Sequence, residues 1–279
     1  MKGFEFGSRT YIMGILNLTP DSFSEDGIYK DLSRALEEAE RIVEEGADII
    51  DIGGESTRPG ARVISQEEEI ERVMPVIKEL AKRIKLPISI DTHKSEVALR
   101  ALDNGASIVN DITGLESDRA MAGCIARYNA GVIIMHIKGT PQTMQKNPLY
   151  DDLIGEITEK LSLLVGNAER CGIKKENIIV DPGIGFGKTT SHNLEILNSL
   201  SRFRVLGRPI LVGPSRKSFI GNILGVGPQE RIFGTAAAVA ISIKNGADII
   251  RVHDVKGMKQ VAEITDAIVR TKPREAVNA

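Results

Sequence analysis

Short apolar runs and longer stretches of helical period alternate along the chain from residue 11 to residue 270. The run at 48–52, DIIDI, is rich in isoleucine and alternates little, which predicts a strand covered on both faces, as in a parallel sheet. Comparable runs predict strands at 11–16, 87–90, 107–109, 131–135, 177–180, 209–212 and 248–252. Between and after them, apolar residues recur at helical spacing over 31–45, 65–85, 94–104, 117–128, 151–171, 191–200, 228–245 and 255–270, with a short extra helix at 217–225. Asp31 is placed to cap the first helix, and Ser65 with Glu68 forms the pattern of a capping box for the second. The phrase GADII occurs at 46–50 and again at 246–250, and GASIVN at 105–110 and AGVIIMH at 130–136 follow the same plan. Each is small residues, then an apolar run, then a polar residue. That is the mark of repeated helix-to-strand units in one α/β domain rather than of a solenoid. Eight such units predict a closed (β/α)8 barrel, the TIM barrel, as a single domain over 1–279. An open doubly wound sheet is the competing architecture. Its glycine fingerprint belongs after the first strand, where Asn17-Leu18-Thr19-Pro20 stands instead.

Composition narrows the functional classes. Hydrophobic residues make up 42% of the 279, enough for a large core, and charged residues 27%. With a net charge of -2 and no Trp, neither a basic field nor a stacking surface recruits nucleic acid. Only two cysteines occur, Cys124 and Cys171, so a disulfide framework or cysteine zinc site is not expected and a reducing compartment is. The N-terminal residues lack an apolar signal core, and no run reaches the ~20 apolar residues that span a bilayer. A cytoplasmic chain without membrane partners is expected.

In a (β/α)8 barrel the C-terminal strand ends converge on one mouth. Here they carry Asn17, Thr57, Arg58, Asp91, Asn110, His136, Asp181, Lys217, Arg251 and His253. Any one of these can simply cap a helix; so many charged and amide groups together imply a ligand, because isolated buried charge is costly. Asp91, Asn110, Asp181 and Lys217 mix donors and acceptors, which suits a flat heterocycle with N–H and carbonyl edges. Arg58, Arg251 and His253 suit phosphate oxygens, and Arg251 can also stack on a ring. The amide oxygen of Asn17 suits a hard cation such as Mg2+. The site is read as one for a nitrogen heterocycle bearing phosphate. The glycine-rich loop 182–190 fails the P-loop spacing, because Pro182 stands where glycine is required. It reads as a flexible rim loop whose Phe186 either covers a substrate or packs the loop. The four histidines lack zinc-site spacing. His136 reads as a hydrogen-bonding residue near the mouth.

The segments MGILNLTPDSFSEDG (13–27), GADIIDIGGESTRPG (46–60), DTHK (91–94), Asn110-Asp111, MHIKGTPQTMQ (135–145), DPGIGFG (181–187), GPSRKSF (213–219) and RVHDV (251–255) occur in an order similar to that of the dihydropteroate synthases, pterin-binding enzymes of the folate pathway. The resemblance spans nearly the whole chain. It implies a TIM barrel, a homodimer, and condensation of 6-hydroxymethyl-7,8-dihydropterin diphosphate with 4-aminobenzoate to give dihydropteroate and diphosphate. It implies that Asp91, Asn110, Asp181 and Lys217 hold the pterin and that Arg251 stacks on it. It implies that Thr57, Arg58 and His253 meet the diphosphate and that Asn17 holds Mg2+. It implies that Phe23, Pro59, Phe186 and Ser218 form the 4-aminobenzoate pocket, with Lys217, Arg251, Asp91 and Asp181 as the catalytic set. Two other readings stand beside it: a non-catalytic barrel that binds a pterin or presents a methyl-folate, and a Schiff-base aldolase using Lys217.

Overall fold

The computed structural model describes residues 3–19, 31–58 and 60–270. Eight parallel strands occur among them: β1 (Tyr11–Asn17), β2 (Ile49–Gly53), β3 (Ile88–Asp91), β4 (Ile108–Asp111), β5 (Gly131–Met135), β6 (Ile178–Asp181), β7 (Leu211–Val212) and β8 (Ile249–Val252). Their order is β6-β5-β4-β3-β2-β1-β8-β7. A parallel bridge between Val180 and Ile210 brings the two ends of the sheet together, with the Val180 N–H donating to Pro209 O at 3.0 Å. The sheet therefore curls into the nearly closed (β/α)8 barrel that the eight repeats predict, and the open-sheet alternative falls.

Around it run α1 (Leu32–Glu44), α2 (Gln66–Arg83), α3 (Ser95–Asp103), α4 (Met121–Tyr128), α5 (Leu153–Arg170), α6 (Thr190–Asn198), α7 (Ser218–Leu224), α8 (Ile232–Lys244) and α9 (Val255–Val269). Among the described residues no helix is long and apolar enough to cross a membrane. Asp31 caps α1 as expected, accepting from the Arg34 N–H at 3.2 Å. Ser65 caps α2, but only half of the capping box forms. The Glu68 carboxylate turns instead to Arg62 and Arg72. The helix expected from 117 starts at Met121; just before it, Asp118 accepts from the Ser95 and Ala120 N–H groups and Ser117 Oγ donates to His93 O.

Side chains alternate across a strand with a period of two, and the apolar residues divide accordingly. Ile50 and Ile52 on β2, with Ile88 and Ile90, Val132 and Ile134, and Ile250 and Val252, belong to the large core shared with the helices. Ile49, Ile108, Ile133, Ile179, Leu211 and Ile249 belong with Tyr11 and Met13 to a second core inside the barrel. Phe4 and Phe6 pack against that inner core from the N-terminal side. One step further along β2, β4, β6 and β8 the inward positions turn polar, and the candidate site begins there.

Candidate active site

The inward position after Ile49 is Asp51, after Ile108 it is Asn110, after Ile179 it is Asp181, and after Ile249 it is Arg251. Parallel register aligns Asn17, Gly53, Asp91 and Asn110 on four adjacent strands. A Cβ at Gly53 would lie 3.6 Å from Asn17 Oδ1 and 3.7 Å from Asp91 Oδ2, so the glycine leaves the space between these two polar groups open. Arg251 spans two carboxylates: its Nε donates to Asp51 Oδ2 at 2.6 Å and its Nη2 to Asp91 Oδ2 at 2.7 Å. Asn110 Nδ2 donates to the same Asp51 oxygen at 3.2 Å. On the far side of the barrel Asp181 accepts from the Gly183 N–H at 2.7 Å. The Lys217 ammonium stands 4.2 Å from the centre of the Phe186 ring, within cation–π range.

Burial sets the electrostatics. It pushes the Asp91 carboxyl up to about 7, against the pull of Arg251 and with the help of the Asp51 charge. It pushes Asp181 up to about 6, opposed by the Gly183 N–H and by Lys217. It brings Lys217 down to about 8, reinforced by Arg251 and opposed by Asp181 and Asp91. These four groups feel one another's charge, so they form one electrostatic unit despite lying up to 160 residues apart, the separation of Asp91 and Arg251. His253 is held neutral, down to about 3, first by burial and then by Arg251 and Arg216. Its Nδ1 sits 3.0 Å from Ser215 Oγ, which also accepts the His253 backbone N–H.

A cleft of about 1130 Å³ opens over this layer. Of the residues singled out by sequence, Asn17, Thr57, Arg58, Asp91, Phe186, Lys217, Ser218, Arg251 and His253 line it. Asn110 and Asp181 are buried next to it, 4% and 7% exposed, and reach it through Asp51–Arg251 and through the charge of Lys217. Phe23 and Pro59 lie outside the described residues. The loop bearing Thr57 and Arg58 is braced from below: Arg72 Nη1 donates to Gly54 O at 2.8 Å, and Lys94 bridges Glu55 and Glu69 at 2.5 and 2.6 Å.

The glycine-rich loop is not the loose rim expected from its composition. Most of residues 182–188 are buried. A Cβ at Gly183 would fall 1.9 Å from His136 O, and one at Gly187 2.4 Å from Lys138 O, so the glycines allow the loop to lie directly against the chain leaving β5. Lys188, 3% exposed, ties it down by donating to Phe186 O at 2.9 Å and by its contact with His136 Nδ1 at 3.0 Å. Gln145 and Tyr150 hold the Gly185 and Gly187 carbonyls. His136 is indeed hydrogen-bonded, but buried beneath the loop. His192, in the first turn of α6, completes a capping box with Thr189. Cys171 lies exposed at the end of α5.

Sequence reasoning missed Asp51, Ser215 and Lys188. The signal for Asp51 was present: it is a charged residue at an inward position of an otherwise apolar strand.

A parallel barrel with a cationic and acidic floor and a hydroxyl- and arginine-bearing rim defines an anion- and heterocycle-binding enzyme barrel. Residues 13–253 match the family described as "Pterin binding enzyme", and the chain belongs to it. The dihydropteroate synthase of Synechocystis sp. is 50% identical over 268 residues, 96% of this chain and 93% of that protein. The crystal structure of the Clostridium difficile dihydropteroate synthase in the presence of pteroic acid superposes with a TM-score of 0.90 at 48% identity, covering 96% of this chain and all of that one. The Xanthomonas albilineans dihydropteroate synthase with 4-aminobenzoic acid gives 0.88 at 40% identity, covering 95% and 94%.

Proposed function

We infer that this chain is a dihydropteroate synthase, a transferase that condenses 6-hydroxymethyl-7,8-dihydropterin diphosphate with 4-aminobenzoate. The observation that carries the reading is the convergence of Asp91, Lys217 and Arg251 on the floor of one cleft, with Asp181 buried beside Lys217, while the rim holds Thr57, Arg58 and His253. The floor offers acceptors and donors to a pterin ring. The rim offers a guanidinium, a hydroxyl and a neutral imidazole to its diphosphate.

The bond between the pterin methylene and the diphosphate oxygen breaks, and positive charge spreads from the methylene into the ring. In this reading Asp91 and Asp181 supply carboxylate charge to that cation, while Arg58, Arg251 and His253 stabilise the departing diphosphate. The aniline nitrogen is neutral at pH 7, attacks the methylene, and loses its proton to solvent after the C–N bond forms. The cation–π contact of Lys217 with Phe186 places that ring beside the reacting end, and Ser218 borders the same space.

The donor set fits Mg2+ in one way. Among the described residues no cluster of three His, Cys, Asp or Glu side chains is arranged to hold a metal. Asn17 contributes a single amide oxygen at the cleft, and Mg2+ is commonly held by one or two protein oxygens with phosphate oxygens and waters completing the octahedron. Bound there, it would supply charge neutralisation to the diphosphate. A homodimer belongs to the same proposal. Phe233, 84% exposed, with Ile241, Ile264 and Ile268 leaves an apolar face on α8 and α9. Sedimentation of Phe233→Glu beside the wild type tests it, with a monomer expected.

The deciding assay is diphosphate release by the wild-type protein from the pterin diphosphate, with and without 4-aminobenzoate. Release that depends on 4-aminobenzoate is expected. Pterin binding without release would convert the reading into a pterin-presenting barrel, and borohydride trapping at Lys217 would replace it with an aldolase.

A further inference from the structure

Asp51 is the most completely buried charged group of the barrel interior, 0% exposed, and it does not line the cleft. Its Oδ2 receives both the Arg251 Nε and the Asn110 Nδ2, while its Oδ1 is buried without a hydrogen-bond partner, as is the Oγ of its register neighbour Ser89. A residue kept for packing alone would not be an under-bonded carboxylate, since such a group is costly at low dielectric. Its bonds explain its presence. One goes to a cation and the other to an amide, and both partners belong to the proposed pterin floor.

The amide bond has a directional consequence. An ionised carboxylate only accepts, so it dictates that Asn110 turns its NH2 toward Asp51. The Asn110 carbonyl oxygen must then point the other way. In the same manner the Nε bond fixes the plane of the Arg251 guanidinium from behind, leaving its face and its Nη1 for the cleft. Arg251 also grips Asp91, which is 12% exposed, whereas Asp51 has no exposure. The Asp91 bond is the one a ligand can exchange; the Asp51 bond is the permanent one.

We propose that Asp51 is a positioning residue that sets the amide orientation of Asn110 and the plane of Arg251, and so makes the floor selective for a heterocycle presenting an N–H donor edge to Asn110. The proposal rests on the pterin reading above. Asp51 touches no substrate and takes no part in bond making.

The test uses Asp51→Asn, the isosteric neutral variant, in the full chain. Three quantities are measured: the dissociation constant for 6-hydroxymethyl-7,8-dihydropterin diphosphate, the KM for 4-aminobenzoate at saturating pterin, and the exchange of the Asn110 side-chain amide protons by NMR in the ligand-free protein. Expected are a rise of about tenfold or more in the pterin constant, a change of less than about twofold in the 4-aminobenzoate KM, and slow exchange of one Asn110 proton in the wild type that becomes fast in the variant. Pterin affinity within about twofold of wild type overturns the proposal, and so does a parallel rise in both constants, which marks general damage. Should Asp51→Asn fail to fold, the wild-type Asn110 amide decides alone, with fast exchange of both protons overturning it. Absence of 4-aminobenzoate-dependent release in the wild type would sink the catalytic reading and leave the amide result standing.

Discussion

Lys217→Met is expected to make the protein more stable and far less active. Lys217 carries its charge where the fold resists it. Moving an amine from 10.5 down to about 8 corresponds to on the order of 3 kcal/mol of disfavoured ammonium in the native state. Two effects reduce that figure. Lys217 is only half-buried at the cleft, so water screens part of the cost. Its ammonium over Phe186 also recovers ~0.5–2 kcal/mol as a cation–π contact. A net gain of about 1–2 kcal/mol remains for a methionine of similar length. At ~2–4 °C per kcal/mol for a domain approaching this size, the midpoint should rise by about 2–8 °C at pH 7.

The sign with pH follows from linkage. The folded value lies below the unfolded one, so the stability tied to this amine is complete above about pH 10.5 and is lost as pH falls through about 8. The advantage of the variant should therefore be widest below pH 8 and close above 10.5. Loss of a charge-assisted hydrogen bond worth ~1.5–3 kcal/mol should weaken pterin binding about 10- to 150-fold. Urea unfolding at pH 7 and at pH 10.5 reads the first effect; pterin binding and diphosphate release read the second. A less stable variant, or one that turns over like wild type, would refute the reasoning.

Three further outcomes are expected. Gly183→Ala should lower the urea midpoint by the equivalent of more than ~2 kcal/mol, because φ is +73° and the new Cβ would meet His136 O at 1.9 Å; an unchanged midpoint would show that the loop does not lie there. The pterin kcat/KM should fall as pH drops through about 7 and about 6, where Asp91 and Asp181 take up protons, and again above about 8 as Lys217 loses one. His253 stays neutral down to about 3, so His253→Gln should leave the acid limb in place, and its disappearance would count against the assignment. Chelation with EDTA should weaken binding of the pterin diphosphate but not of 6-hydroxymethylpterin; equal weakening of both would remove Asn17 as the cation's protein ligand.

The alternation of apolar runs with helical repeats was enough to read eight strands, the helices between them and the barrel. Five of the eight strands, β1, β2, β3, β4 and β6, run one or two residues further at their C-terminal ends than the apolar runs. Asp91, Asp111 and Asp181 pair as strand residues although they look like the first residues of loops. Parallel neighbours keep supplying hydrogen-bond partners at these positions, and register between distant segments is invisible to a local pattern. The same blindness explains the missed start of α4, where Asp118 and Ser117 are tied to Ser95 and His93, distant in sequence. It also explains the misjudged loop at 182–188: glycine reads as looseness, whereas here it is what permits backbone to touch backbone. Polar strand ends were legible as a group because they recur at every repeat. Asp51 was harder to single out, because it lies deeper, inside the run DIIDI rather than at a strand end; its charge at an inward position was the sign of it.

That depth follows from how a barrel of parallel strands is filled. Successive inward positions on β8 and in the residue just beyond it are Ile249, Arg251 and His253, and on β2 they are Ile49, Asp51 and Gly53. The first member of each set belongs to a dry inner core and the second to a charged layer, and the third member on the β8 side, His253, reaches the cleft. A charged layer cannot rest directly on apolar packing unless its charges neutralise one another. Arg251 between Asp51 and Asp91 balances one carboxylate charge, and burial, by raising Asp91 to about 7, reduces the other. Of these two carboxylates only Asp91 borders the cleft, so a heterocycle that takes over its acceptor leaves Arg251 still anchored. The stability such a layer forfeits is made up on the other side of the same strands, where Ile50, Ile52, Ile250 and Val252 pack against the helices. One strand thus supplies apolar packing with one face and ligand chemistry with the other, and a single-residue slip in register would exchange them.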